Sequence, residues 1–307
     1  MERALFIEKK DEFLTQLEVE RNLSIHTIRA YAGDLNQFIA FWERLTPYEQ
    51  KELGIRHIIE RYLMVLFYKN MNKSSIARKF SCFRSFEKFL ERSGIKLNLK
   101  LQRPRVEKKL PVYLTMDEMF HLLDNIPNDQ LPTRFPARDK AILELLYATG
   151  VRCSELIQIN IQDVQMESLS IRIKGKGRKE RMVLFGKKAQ EKLMTYFQTE
   201  RFDVRNTDEP LFTNYRGARL TSRSIQRIIE MFRSFLKIER PITPHKIRHS
   251  FATHLLNQGA DLRTIQELLG HKTLSSTEKY THVSLKDLKT MMNTIHPIDR
   301  IMKKNKQ

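Results

Sequence analysis

Apolar residues recur at three- and four-residue intervals through most of the first hundred positions, a period that suits helices and not strands. Ile25, Ile28, Leu35, Phe38, Ile39 and Trp42 share one face of a segment that Ser24 can N-cap and that runs to Leu45. Ile76, Phe80, Phe83, Phe86 and Leu90 do the same from about Ser75 to Arg92, with Gly94 placed as a C-terminal cap. The spacing predicts four helices. Their aromatic stripe reads as core, and Arg78, Lys79, Arg84 and Lys88 spread over the other faces as candidate phosphate contacts. Cys82, among the phenylalanines, reads as a core residue. The apolar run from Tyr62 to Tyr68 reads as a buried helix.

The pattern then breaks. Residues 100–111 carry Lys100, Arg103, Arg105, Lys108 and Lys109 with Pro104 and Pro111, which favours an extended linker. Such a linker can lie along a nucleic-acid backbone or serve as a solvated tether. Thr115 and Glu118 form a capping-box pattern that opens a second domain. A helix over Pro136–Ala148 is closed by Gly150. The period next shortens to two: Leu169, Ile171 and Ile173 alternate with polar residues, as do Met182 and Leu184. Lys174-Gly-Lys-Gly-Arg-Lys179 joins the two runs as a Gly-rich turn, giving a hairpin in a small antiparallel sheet. Helices resume near Lys187 and continue to about residue 294. The fold class is therefore mainly α with a small antiparallel β-sheet, in two domains.

A net charge of +19 over 307 residues points to a polyanionic partner. No apolar run approaches the roughly 20 residues needed to span a bilayer. Glu2, Glu8, Asp11 and Glu12 leave no apolar signal segment at the N-terminus. Two cysteines, Cys82 and Cys153, cannot build a disulfide framework. The expectation is a cytoplasmic protein with a nucleic-acid partner and no membrane. The carboxylates between Asp139 and Glu167 do not combine with histidine at ligand spacing, and no Walker A loop or dinucleotide fingerprint is present. No metal and no cofactor are expected.

The chemistry-bearing residues lie in four places. His245 and Arg248, three apart in a helix starting near Pro244, share a face. Arg152 follows Gly150 at the start of another helix, with Glu155 three residues on to orient it. Two guanidiniums converging on one point suit a phosphate, whose oxygens accept paired hydrogen bonds. Downstream, His271 and Tyr280 suggest attack on a phosphodiester by a tyrosine hydroxyl. That hydroxyl has a pKa of roughly 10, so it needs a base and nearby cations. His245 or His271 can act as base or hydrogen-bond donor. Lys176, between two glycines, can protonate the departing sugar oxygen. It can equally bind phosphate among Arg172, Lys174, Arg178, Lys179 and Arg181.

These segments resemble the tyrosine recombinase (integrase) family, specifically the Xer site-specific recombinases, over nearly the whole chain. Ala148-Thr-Gly-Val-Arg-Cys-Ser-Glu-Leu156 resembles the first arginine box, and Gly175-Lys-Gly-Arg-Lys-Glu-Arg181 the lysine hairpin. Thr243-Pro-His-Lys-Ile-Arg-His-Ser-Phe-Ala-Thr-His254 resembles the His-x-x-Arg box. Leu268-Leu-Gly-His271 and Thr277-Glu-Lys-Tyr-Thr-His282 resemble the closing motifs.

The resemblance implies roles. Arg152 and Arg248 clamp the scissile phosphate, Lys176 is the acid for the 5′-oxygen, His245 assists deprotonation, His271 hydrogen-bonds the phosphate, and Tyr280 forms a 3′-phosphotyrosyl link. His249 is read as a packing residue. The resemblance also implies a C-shaped clamp on DNA: a helical core-binding domain over residues 1–99, a basic linker at 100–113, a catalytic domain at 114–296 and a tail at 297–307. Residues after about Ser284 would dock on a neighbouring protomer. The partners implied are a double-stranded recombination site, a homo- or heterotetramer with a paired Xer recombinase, and a septal DNA translocase as activator. The role implied is chromosome-dimer resolution at a terminus site for cell division. Plasmid or transposon integration, topoisomerase-like relaxation and non-catalytic DNA binding are the alternatives. The chain carries no extra amino-terminal domain of the kind phage integrases use, which favours the Xer reading.

Overall fold

A computed structural model describes residues 1–19, 25–46, 48–49, 53–99, 113–124, 126–175, 180–201, 203–204 and 206–269. The chain divides into two compact units, Met1–Leu110 and Pro111–Gln307.

The first unit is built on helices α1 (Arg3–Val19), α2 (Ile25–Glu43), α3 (Ile55–Tyr68) and α4 (Lys73–Arg92). Its core is the aromatic stripe. Phe6, Phe13, Phe38, Phe83 and Phe86 are all buried. Phe6 meets Phe86 edge-on at 5.0 Å and Phe38 meets Phe83 at 5.3 Å. Burial of each ring stabilises by about 1.5–3 kcal/mol, and edge-to-face contact adds about 0.5–1.5 kcal/mol. α4 starts a little before the expected Ser75, because Asn72 caps it: the Asn72 Oδ1 accepts from the Ser74 amide at 3.0 Å. At its other end Gly94 adopts φ +79°, and the Ile95 amide reaches back to the Leu90 carbonyl at 3.0 Å.

Lys79 is not a surface phosphate contact. It lies inside, where its Nζ donates to Asp34 Oδ1 at 2.8 Å and to Gln37 Oε1 at 2.7 Å. A buried carboxylate from α2 needs a buried cation, and helical spacing alone does not reveal that demand. The Tyr62–Tyr68 run is amphipathic rather than fully buried: Tyr62, Leu63 and Leu66 face the core, whereas Met64, Phe67 and Tyr68 are exposed.

The second unit contains α5 (Met116–Asp124), α6 (Pro136–Thr149), α7 (Cys153–Gln158), a sheet of β1 (Val164–Gln165), β2 (Ser170–Lys174) and β3 (Glu180–Leu184), then α8 (Lys187–Thr199), α9 (Ser222–Phe235), α10 (Pro244–Asn257) and α11 (Leu262–Leu269). α6 is the central element. Every residue from Ala137 to Thr149 except Lys140 is buried, as expected for a helix wrapped by others. Its first amides are held by Glu200, which accepts from Ala137 N at 2.8 Å and Arg138 N at 2.9 Å. The capping box of α5 forms, with Thr115 N donating to Glu118 Oε2 at 2.7 Å.

The sheet is antiparallel in the order β1-β2-β3. Ile171 pairs with Val183, Ile173 with Arg181, and Arg172 with Met182. Leu184 is buried as the alternation expects, but Met182 is exposed and Val183 is buried in its place. Val183 packs beside Ile171, and Met182 faces outward. Facing pairs share a side of the sheet, so Arg181 lies on the apolar side with Ile173.

Candidate active site

The chain reverses sharply after α6. Gly150 takes φ +59°, and a methyl group built there would sit 2.5 Å from a ring carbon of Phe251. Only glycine combines that left-handed conformation with so close a contact. Gly150→Ala should therefore cost about 2–4 kcal/mol in denaturant unfolding, from the backbone term plus an overpacked ring. An unchanged midpoint would contradict this contact.

Two residues later Arg152 occupies the N-cap of α7. Its backbone amide donates to Glu155 Oε2 at 2.8 Å and its Nη1 donates to Glu155 Oε1 at 2.8 Å. Glu155 is buried. Arg181, coming from β3, grips the same carboxylate with two bonds, Nη1 to Oε1 at 3.0 Å and Nη2 to Oε2 at 2.9 Å. Burial by itself would raise the Glu155 carboxyl. The Arg181 pair, the Arg152 amide and the Arg152 guanidinium outweigh it and hold the group at about 2.

A carboxyl depressed in the folded state stabilises the protein above its unfolded pKa, and that stability fades as pH falls from about 4.5 to 2. The shift corresponds to about 3 kcal/mol. Glu155→Gln should remove that acid-dependent portion. A stability-versus-pH curve for this variant that keeps the wild-type slope below pH 4.5 would refute it.

α10 supplies two further site residues. Thr243 caps it, accepting from Lys246 N at 3.2 Å. His245 stands exposed in the first turn. Arg248, one turn on, is buried. Its Nη1 donates to the Gly150 carbonyl at 2.6 Å and its Nη2 to the Leu269 carbonyl at 2.6 Å. One guanidinium thus ties the turn after α6 to the end of α11. Burial lowers Arg248, and the nearby Arg152 and Arg181 charges lower it further against Glu155, to about 10. The group stays charged at neutral pH. Three guanidiniums against one carboxylate leave a local surplus of two positive charges. That surplus matches the charge a phosphodiester gathers when an oxyanion attacks it.

The helix is locked from behind. Ser250 Oγ accepts from the Leu114 amide at 2.8 Å, and Tyr147 Oη lies 2.8 Å from His254 Nδ1 in the core. Burial raises the Tyr147 hydroxyl and lowers the His254 imidazole, so this pair is structural and neutral. His249 is half-buried, edge-on to Tyr113 at 6.4 Å, in keeping with a packing role.

Of the six expected site residues, Arg152, His245 and Arg248 are described; Lys176, His271 and Tyr280 lie outside the described residues. Among the basic residues around the hairpin, Arg172 is not a free phosphate ligand, because it binds Asp163 through Nε at 2.9 Å and Nη2 at 2.8 Å. Sequence reasoning missed Arg181 as a partner of Glu155. No local signal marks it, because the side of the sheet that Arg181 takes is set by the pairing of β3 with β2. Among the described residues no group of three potential metal ligands occurs, and no helix is long and apolar enough to cross a membrane.

Residues 112–287 match the model of the phage integrase family, and residues 11–94 match the phage integrase N-terminal SAM-like domain. The chain belongs to the tyrosine recombinases. It is 41% identical over 301 residues to a tyrosine recombinase XerC of Syntrophus aciditrophicus, covering 93% of this chain and 96% of the relative. It is 38% identical to a XerC of Thermodesulfovibrio yellowstonii, covering 94% and 96% of the two chains. In fold it is similar to XerH bound to palindromic difH in a post-cleavage complex, with TM-score 0.66, 24% identity and 91% of this chain covered against 84% of that one. Membership makes the chain a site-specific recombinase that cleaves DNA and transfers strands through a tyrosine-linked intermediate. The mainly helical fold with its small antiparallel sheet agrees with that class.

Proposed function

We propose that Tyr280 is the nucleophile of this recombinase. Its hydroxyl attacks the scissile phosphorus, the bond to the 5′-oxygen breaks, and a 3′-phosphotyrosyl link remains. In this reading Arg152 and Arg248 hold the non-bridging oxygens, His245 assists removal of the tyrosine proton, His271 hydrogen-bonds the phosphate and Lys176 protonates the departing 5′-oxygen. The observation that carries it is the pairing of Arg248 with the carbonyls of Gly150 and Leu269. That bond joins the first arginine box to the chain leading into His271 and Tyr280. We assign residues 1–99 to core binding, 100–113 to the linker, 114–296 to catalysis and 297–307 to the tail.

The biological reading is resolution of chromosome dimers at a terminus site during cell division, in the cytoplasm. Four protomers act there, two of this chain and two of a paired Xer recombinase, with a septal DNA translocase as activator. The XerC names of the relatives support it. The test uses duplexes carrying the host terminus site or the ends of a mobile element, with and without the partner recombinase. Covalent capture restricted to the terminus site, with full exchange only when the partner is present, is the expected result. Exchange at the element ends alone would identify an integrase, and site-independent relaxation of supercoiled DNA would identify a topoisomerase.

A further inference from the structure

The first unit holds a three-residue charge cluster that the catalytic reading does not use. Asp34 of α2 is buried and meets two cations from adjacent positions of α4. Lys79 takes Oδ1 from inside at 2.8 Å. Arg78 takes Oδ2 from outside, and its Nη1 also donates to the Ala30 carbonyl at 3.1 Å. The Arg78 side chain is 42% exposed, whereas Asp34 and Lys79 side chains are each 2% exposed.

Arg78 lines a groove of about 640 Å³ between α2 and α4, along with His26, Thr27, Ser74 and Ser81. Thr27 and Ser74 belong to the first turns of their helices, so both positive helix ends face this groove. The cluster carries one net positive charge, and among the described residues no carboxylate lines the groove.

We propose that Arg78 grips a backbone phosphate of the DNA and that Asp34 is its positioning residue. The DNA substrate rests on membership in the recombinase family; the residues and the mechanism of positioning rest on this cluster. The physical point is the second cation. If Arg78 alone neutralised Asp34, turning toward a phosphate would leave a bare buried carboxylate, which is strongly unfavourable. Lys79 keeps Asp34 paired whichever way Arg78 points. Arg78 is thus held in the groove in the free protein and can shift its remaining donors to a phosphate at low cost. Held in advance, it gives up less side-chain freedom on binding than a solvated arginine.

The test measures affinity of the full-length chain for a labelled random-sequence duplex over a range of salt, because phosphate contacts are independent of sequence. This readout does not depend on cleavage, so it can fail while the tyrosine chemistry stands, and the reverse. Arg78→Gln should weaken binding about tenfold and lower the salt slope by about one. Arg78→Lys should keep the slope and recover part of the affinity. Asp34→Leu combined with Lys79→Met removes both buried charges at similar volume and leaves net charge unchanged. It should keep the wild-type slope yet bind several-fold more weakly, with melting monitored to confirm folding. An unaltered slope and affinity in Arg78→Gln would overturn the phosphate contact. Wild-type affinity in the folded double variant would overturn the positioning role of Asp34.

Discussion

Arg248→Lys should slow covalent capture of DNA by about 10²- to 10³-fold, the scale on which enzymes lose rate when a donor to a developing oxyanion is removed. The charge survives the substitution and the geometry does not. The guanidinium spans the carbonyls of Gly150 and Leu269 at 2.6 Å each and still has N–H groups to offer a phosphate. A lysine ammonium is a single point and cannot reach both carbonyls and the phosphate. The readout is single-turnover adduct formation on a nicked duplex, with thermal melting to separate lost chemistry from lost fold. Capture within tenfold of wild type in a normally folded variant would remove Arg248 from the phosphate clamp.

Asp34→Ala should destabilise the first unit by about 3–5 kcal/mol, because it leaves Lys79 charged and unpaired in the interior. Among the described residues, Lys79 then keeps the Gln37 Oε1 contact at 2.7 Å and the face of Tyr62 at 5.8 Å. Adding Lys79→Met should return most of the loss, because the stranded charge disappears. The two losses are therefore non-additive, and a denaturant double-mutant cycle reads that directly. Additive losses would show that the Asp34–Lys79 pair is not energetically coupled.

The sequence makes the helical unit legible because its core is one-sided. Phe80, Phe83, Phe86 and Leu90 repeat at the helical period, and Gly94 marks where α4 must stop. Lys79 escapes that reading, since a polar residue beside a phenylalanine stripe has the same spacing whether it meets water or a buried aspartate. The β3 phase escapes for a related reason. Met182 and Val183 are both apolar, and only the pairing with Ile171 decides which faces inward. In the site, Gly150, Arg152, His245 and Arg248 carry their own local signals: a cap, a box and a three-residue repeat. Glu155 was legible as the partner of Arg152, three residues away. Its second partner, Arg181, was not, because a contact across 26 residues leaves no periodic trace. The same holds for the Arg248 bond to Leu269, which depends on where α11 ends.

Covalent capture of DNA through Tyr280 is tested most directly by adduct trapped on a nicked duplex, digested with nuclease and protease and mapped by mass spectrometry. A nucleotide remnant on Tyr280, with no adduct at all from Tyr280→Phe protein that still binds DNA, is the result expected. A remnant on any other tyrosine, or an adduct that persists in Tyr280→Phe, would contradict it.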